Sequence, residues 1–266
     1  MPSSPEFTRT DPQRVETALR WLAPKWTTAF VITMAREGGP MRVHELNRHY
    51  PSLAQASVSN RLTAMAEAGL ARRDAYSLPY QLTQRSLTLG PAYRELTEWS
   101  RTHINPAPMD RAERIEDALQ RIHHLDTTAI VSHLGEHGSA RYVQLCDAIG
   151  LDSSQLGFRL GRLQANGLVT RTGEHHGAPY TLTDAGRALG PVYAAVERWD
   201  LRHDSAQPAP VPTAARTHAG ALTGPDSART AAALRRSPVP AAYFSHAPQP
   251  QVPASATATS SQARGR

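Results

Sequence analysis

Apolar residues at Val15, Ala18, Leu19 and Leu22 follow an i, i+3, i+4, i+7 spacing, which predicts a helix with a single buried stripe. Pro24 interrupts it. A second helix is expected to carry Trp26, Phe30 and Met34 on one face and to stop at Gly38-Gly39-Pro40, and a short third uses Val43 and Leu46 and ends near Tyr50-Pro51. The stretch "SVSNRLTAMAEAGLARRD", Ser57 to Asp74, predicts a fourth helix with Val58, Leu62 and Met65 inward and Gly69 as a left-handed C-cap. Ser52 with Gln55, and Asp152 with Gln155 further on, have capping-box spacing. Beyond Gly69-Leu70, "LARRD" and "YQLTQ" read as two short strands around a turn at about 75–79. Pro91 then fits the first position of a last helix that carries Tyr93, Leu96 and Trp99.

The same rhythm is written twice. At an offset of one hundred, "VETALRWLAPKWTTAFVI" from Val15 lies over "IEDALQRIHHLDTTAIVS" from Ile115, and "PYQLTQRSLTLGPAYRELTEW" from Pro79 over "PYTLTDAGRALGPVYAAVERW" from Pro179. Between these anchors the offset slips to 98, so that Leu62, Met65 and Gly69-Leu70 meet Leu160, Leu163 and Gly167-Leu168, and "GEHHGAPY" restores the difference. Such small length changes belong in turns. The units are 14–104 and 111–204, joined by "INPAPMD". From about Asp204 the composition turns to Ala, Pro, Ser and Thr, with too few large apolar residues to offset the entropy of ordering. The expected fold class is mainly α with short β-hairpin wings: two tandem winged helix-turn-helix domains followed by a disordered C-terminal tail, 205–266.

Charge sharpens this picture. The chain has 266 residues and a formal net charge of +6, a balance that favours a polyanionic partner. Unit one (15–103) holds 11 basic and 7 acidic residues, unit two (111–204) holds 10 and 12, and the tail holds 6 and 1. If charge guides binding to nucleic acid, the first unit and the tail feel it most. No run approaches the ~18 apolar residues of a spanning helix, and "MPSSPEFTRTDPQR" has no apolar segment behind its charges; the expected address is the cytoplasm, at the nucleoid, with no membrane partner. The single cysteine, Cys146, excludes an internal disulfide framework and reads as a small core residue, a thiol sensor being the alternative. His133 and His137 are four apart on a helix, but without an intervening H-E-x-x-H glutamate or a third ligand they do not make a metal site. No phosphate-binding loop, nucleophile elbow or dinucleotide fingerprint is present, so no enzyme and no cofactor are expected.

In unit one, Lys25-Trp26-Thr27 after the first helix, "VHEL" before the turn and "LTAMAEAGLARR" resemble the HxlR-type bacterial transcriptional regulators. In unit two "PYTLTDAGRALGPV" is similar to that family's segment after the wing. MarR- and PadR-type relatives stand as alternatives with the same fold. Two departures stand out: Ser86 where the family usually shows Gly, and "IHHLDTT" in place of Lys-Trp-Thr. The resemblance implies homodimers built through first and last helices, so a tandem copy is expected either to form that pair within one chain or to dimerise.

With Val58, Leu62 and Met65 inward, a helical projection turns Ala56, Asn60 and Thr63 outward, flanked by Ser57, Ser59 and Arg61. Asn60 is the foremost candidate base reader, because a carboxamide pairs bidentately with adenine; a solvated surface residue is the bland reading. Arg72 and Arg73 suit phosphate, and strand alternation lets at most one point at the duplex, with pairing to Asp74 as the rival. In unit two Ser154, Phe158, Gly161 and Arg162 project outward beside Gln155, so an aromatic stands where unit one has Asn60. Such a face contacts a thymine methyl or packs against protein. Arg159, Arg162 and Arg171 face only Glu174 locally, and His175 and His176 are expected at the wing tip. Sequence-specific binding to double-stranded DNA is the expected function, and a winged-helix module for protein contact is the alternative.

Overall fold

The structure is a computed structural model and describes residues 9–175 and 177–204. In the first copy α1 (Pro12–Leu22), α2 (Thr27–Glu37), α3 (Val43–His49) and α4 (Gln55–Glu67) lead into strands β1 (Ala71–Arg72) and β2 (Gln81–Leu82). A short α5 (Gln84–Leu87) and α6 (Gly90–His103) close it. The second copy repeats the order as α7 (Arg111–Ile122), α8 (Thr127–His137), β3 (Ser139–Ala140), α9 (Tyr142–Ile149), α10 (Ser153–Ala165), β4 (Val169–Arg171), β5 (Tyr180–Leu182), α11 (Asp184–Arg187) and α12 (Gly190–Asp204). The tail expected to be disordered, 205–266, lies outside the described residues.

The periodic positions bury as their spacing requires. Val15, Ala18, Leu19 and Leu22 are fully sequestered, as are their counterparts Ile115, Ala118, Leu119 and Ile122. Asp11 and Asp110 cap α1 and α7 by accepting backbone N–H bonds from the first turn. The strands are shorter than the sequence suggested. In the first wing Ala71 pairs with Leu82 and Arg72 with Gln81; in the second, β5 lies between β3 and β4, all antiparallel. The added strand β3 has only a single bridge, Met41 to Tyr80, as its counterpart in the first copy. One capping expectation fails: α4 starts from Ala54, whose side chain caps nothing, while Ser52 sits in the preceding turn. The backbone already bends at Tyr50-Pro51. Asp152 does cap α10, accepting from the Gln155 N–H at 2.9 Å.

The first helices are exchanged between the copies. The principal neighbours of α1 are α8 and α12 of the second copy, and those of α7 are α6 and α2 of the first, while α6 and α12 pack on each other. Paired polar contacts seal this joint. The Trp99 indole N–H donates to the Ala185 carbonyl at 2.9 Å, and Trp199 donates to the Arg85 carbonyl at 2.8 Å, one hundred positions out of step. Likewise Glu16 accepts from the Asp126 N–H at 2.8 Å and Glu116 from the Ala29 N–H at 3.4 Å. Each carboxylate meets the positive end of the other copy's second helix, where Trp26 and Asp126 adopt left-handed backbones at φ 73° and 62°. Among the described residues an added ion-pair cluster exists on one side only: buried Asp200 accepts from Arg14 and from Arg85, each at 2.9 Å, and Arg14 also bonds Asp204.

The departure at Ser86 has a local cause. A Cβ at Gly186 would come within 2.2 Å of the Leu168 carbonyl oxygen, so glycine is needed for α11 to approach the wing. At the equivalent place in the first copy the backbone makes room, and the buried Ser86 hydroxyl donates to the Leu70 carbonyl. Cys146 is half-buried against the core. No helix among the described residues is long and apolar enough to cross a membrane.

Candidate nucleic-acid interface

Helix α4 turns Val58, Leu62 and Met65 into the core and leaves Ala56, Ser57, Asn60 and Thr63 in solvent, with Ser59 and Arg61 half-buried. Burial of one stripe thus fixes which small and polar side chains face out. The Asn60 carboxamide has no protein partner among the described residues, so all its donors and acceptors are available. Thr63 Oγ1 lies 3.3 Å from the Tyr80 hydroxyl and ties the helix to the wing. Arg61 turns toward the joint, where its charge acts on Glu116 of α7. Gly69, at φ 69°, ends the helix one residue beyond its Ala68 C-cap and starts the chain into β1.

The two wing arginines take different roles, as alternation along a strand demands. Arg72 is exposed and donates to its cross-strand neighbour Gln81 at 3.2 Å. Arg73 is half-buried, its guanidinium 4.8 Å from the Tyr76 ring centre and 4.5 Å from that of Tyr80. Neither pairs with Asp74 among the described residues. Between α3, the start of α4 and this wing lies an open cleft of about 620 Å³, lined among others by Arg42, His44, Ala56, Ser59, Arg73 and Tyr76. Arg42, His44 and Tyr76 escaped the sequence reading. The signal for Arg42 was its place just before α3, where Glu45 accepts its backbone N–H and its guanidinium donates to the Ser77 carbonyl at 3.2 Å.

Helix α10 buries Leu156, Leu160 and Leu163 and exposes Ser154, Gln155, Gly157, Phe158 and Gly161. The arginines of α10 and β4 depart from expectation: they do not face only Glu174. Arg159 pairs with Asp126 at 3.2 Å, Arg162 donates to His124 Nδ1 at 2.9 Å and Arg171 to the His175 carbonyl at 3.1 Å. Asp126 and His124 belong to the α7–α8 connection, more than thirty positions upstream, which is why local reading missed them. Burial, followed by the charges of His123, Arg162 and Arg159, pushes His124 down to about 4, so at neutral pH it is an acceptor for Arg162. Phe158 stands 59% exposed beneath the guanidiniums of Arg162 and Arg159. The Ser154 hydroxyl donates to Asp152, which with the Gln155 N–H holds that carboxyl below its ordinary range. His175 is exposed in the wing turn, and His176 lies outside the described residues. The His133 and His137 rings stack at 4.2 Å, and no group of three metal-ligating side chains occurs among the described residues.

This geometry agrees with similarity to known proteins. An uncharacterised helix-turn-helix transcriptional regulator of Bacillus subtilis, YvaP, is 26% identical over 102 residues, spanning 36% of this chain and 93% of that protein. No solved structure matches the chain. The model of the HxlR-like helix-turn-helix family matches residues 21–108 and again 126–207. The chain belongs to the HxlR-like helix-turn-helix family and carries its module twice.

Proposed function

We propose that this DNA-binding regulator recognises a specific double-stranded sequence through α4, inserted in the major groove, with Asn60 as its base reader and the first wing on the phosphates. The observation that carries this reading is the outer face of α4, where exposed Asn60 has no protein partner among the described residues, beside a cleft that Arg42, His44 and Arg73 help line. Small side chains at Ala56, Ser57 and Ser59 let the helix approach base edges, and one bidentate carboxamide contact discriminates by ~1–3 kcal/mol. Arg72 is exposed and has no acidic partner among the described residues, which suits a phosphate. Arg73, stacked on two tyrosines, is the stiffening element of the wing. The helix-turn-helix regulator from Bacillus subtilis and the family itself support a role in transcription, exerted in the cytoplasm on chromosomal DNA. Exchange of α1 and α7 supports a single chain acting as its own dimer.

Selection of binding sites from a random DNA pool with the full chain tests this. An enriched motif is expected, with Asn60→Ala relaxing preference at one position. Arg72→Ala weakens binding to all sequences alike and lowers the slope of log affinity against log salt by about one. A flat salt response, with no enrichment, assigns the chain instead to protein contact.

A further inference from the structure

On α10 the place of Asn60 is taken by Phe158, and its surroundings fix what such a residue can read. The ring is held from behind: the guanidinium carbons of Arg162 and Arg159 lie 4.9 and 5.9 Å from its centre, and those arginines are anchored by His124 and Asp126. Phe158 nonetheless remains 59% exposed. Two helix-interior glycines flank it, with different causes. A Cβ at Gly157 would sit 3.3 Å from the Tyr142 hydroxyl, so internal packing accounts for that one. At Gly161 a Cβ would meet nothing within 4 Å, and the backbone there is ordinary helix. The fold therefore gains nothing from Gly161, which weakens the helix relative to alanine. A missing side chain on an exposed face leaves room for a body from outside.

We infer that α10 lies in the major groove with Phe158 against the C5-methyl group of thymine, and that Gly161 permits this approach. The inference rests on the DNA-reading function proposed above and names the chemistry read by the second copy. A phenyl ring cannot hydrogen-bond a base edge, and the thymine methyl is the apolar group that the major groove displays. Arg162 donates to a neutral acceptor, His124 Nδ1, and has no acidic partner among the described residues, so it retains its full charge beside the ring, while Arg159 is paired with Asp126. An uncompensated guanidinium favours a polyanion over an apolar protein surface, against which it would lose water without gaining a counter-charge.

The test uses the full chain and an operator selected from a random pool, with each thymine replaced in turn by deoxyuridine, which removes only the methyl. Wild type is expected to lose about four-fold in affinity at each contacted thymine, the value of one buried methyl-sized group. Phe158→Ala binds the thymine operator weaker by that factor and no longer distinguishes the two bases, whereas Asn60→Ala stays sensitive at the same positions. Gly161→Ala raises Tm and yet weakens binding, a combination that a purely structural role does not produce. An enriched operator whose affinity ignores every deoxyuridine overturns this inference alone. So does a Phe158→Ala variant that keeps the sensitivity, or one that loses self-association while binding DNA unchanged. Failure of any sequence to enrich overturns the DNA-reading proposal itself.

Discussion

Where the first copy presents Asn60 without a partner among the described residues, the second presents Phe158 against two arginines that Asp126 and His124 hold. Much of the cores and the joint, by contrast, repeats: Trp99 with Trp199, Glu16 with Glu116, Val15 with Ile115. The physical difference lies in what constrains each position. A core or joint residue must fit neighbours from both copies, so any change is felt through packing at once. An outward residue on α4 or α10 is not enclosed by the core and so is less constrained by packing. A duplicated fold can therefore keep one scaffold and carry two chemically distinct faces.

The ion-pair cluster at Asp200 is the place to break this near-symmetry with the largest effect. Asp200 is 7% exposed and bonded to Arg14 and Arg85, while its counterpart Ser100 is buried with a hydroxyl that has no partner. Asp200→Ala leaves Arg85 without a carboxylate and Arg14 with Asp204 alone, and is expected to cost about 3 kcal/mol in urea unfolding. Ser100→Ala removes an unsatisfied buried hydroxyl and is expected to change stability by less than about 1 kcal/mol. Equal effects of the two substitutions would show that the charged cluster adds nothing to the joint.

Acid should come next and should strike the second copy. His124 is held neutral and accepts from Arg162 at Nδ1, whereas the first copy has Pro24 in its place. Its value is depressed from 6.5 to about 4 in the folded chain, so folded protein resists the proton that unfolded chain takes up. Stability is full above pH 6.5 and falls as pH drops toward 4. Protonation also sets His124 against Arg162 and loosens the anchor of α10. His124→Asn is expected to flatten the stability profile across that window, measured by thermal melts at successive pH values. A wild-type melt that does not move between pH 7 and 5 would remove His124 from this role.

What could be read from the chain alone divides along the same line. The helices were legible because Val15, Ala18, Leu19 and Leu22, or Val58, Leu62 and Met65, satisfy a local periodicity that burial then enforces. The outward strip of α4 followed from the same geometry, and Asn60 is exposed as the projection requires. Long-range partners were not legible. Asp126 reaches Arg159 from 33 positions away, and Asp200 reaches Arg85 from 115, with nothing in the local pattern to announce either contact. The wing strands overran because "LARRD" has strand character, yet Arg73 leaves the ladder to stack on Tyr76 and Tyr80. Exchange of the first helices was implied by resemblance and not by periodicity, since a buried stripe specifies that a helix packs and not on which neighbour.

The smallest expected effect separates the two glutamates that cross the joint. Glu16 accepts from the Asp126 N–H and pairs with Arg20 at 3.3 Å, so its carboxylate has both a helix start and a cation. Glu116 has a longer bond to the Ala29 N–H, and burial raises it above the ordinary carboxylate value against the opposing pull of the Ala29 and Trp26 backbones and of Lys25 and Arg61. A carboxyl raised on folding contributes stability that is complete below its unfolded value, near 4.5, and is lost as pH rises through its folded value. At pH 7, then, ionised Glu116 weighs against the fold, whereas Glu16 has the Asp126 N–H and Arg20 as partners. Glu16→Gln is expected to destabilise by about 0.5–1 kcal/mol, the scale of one helix-end charge and one exposed ion pair. Glu116→Gln is expected to raise the Tm slightly at pH 7, and this advantage should vanish as the buffer is brought to pH 4. Parallel pH series of the two variants read the sign directly, and two variants that shift in the same direction at pH 7 would mean that the joint treats both carboxylates alike.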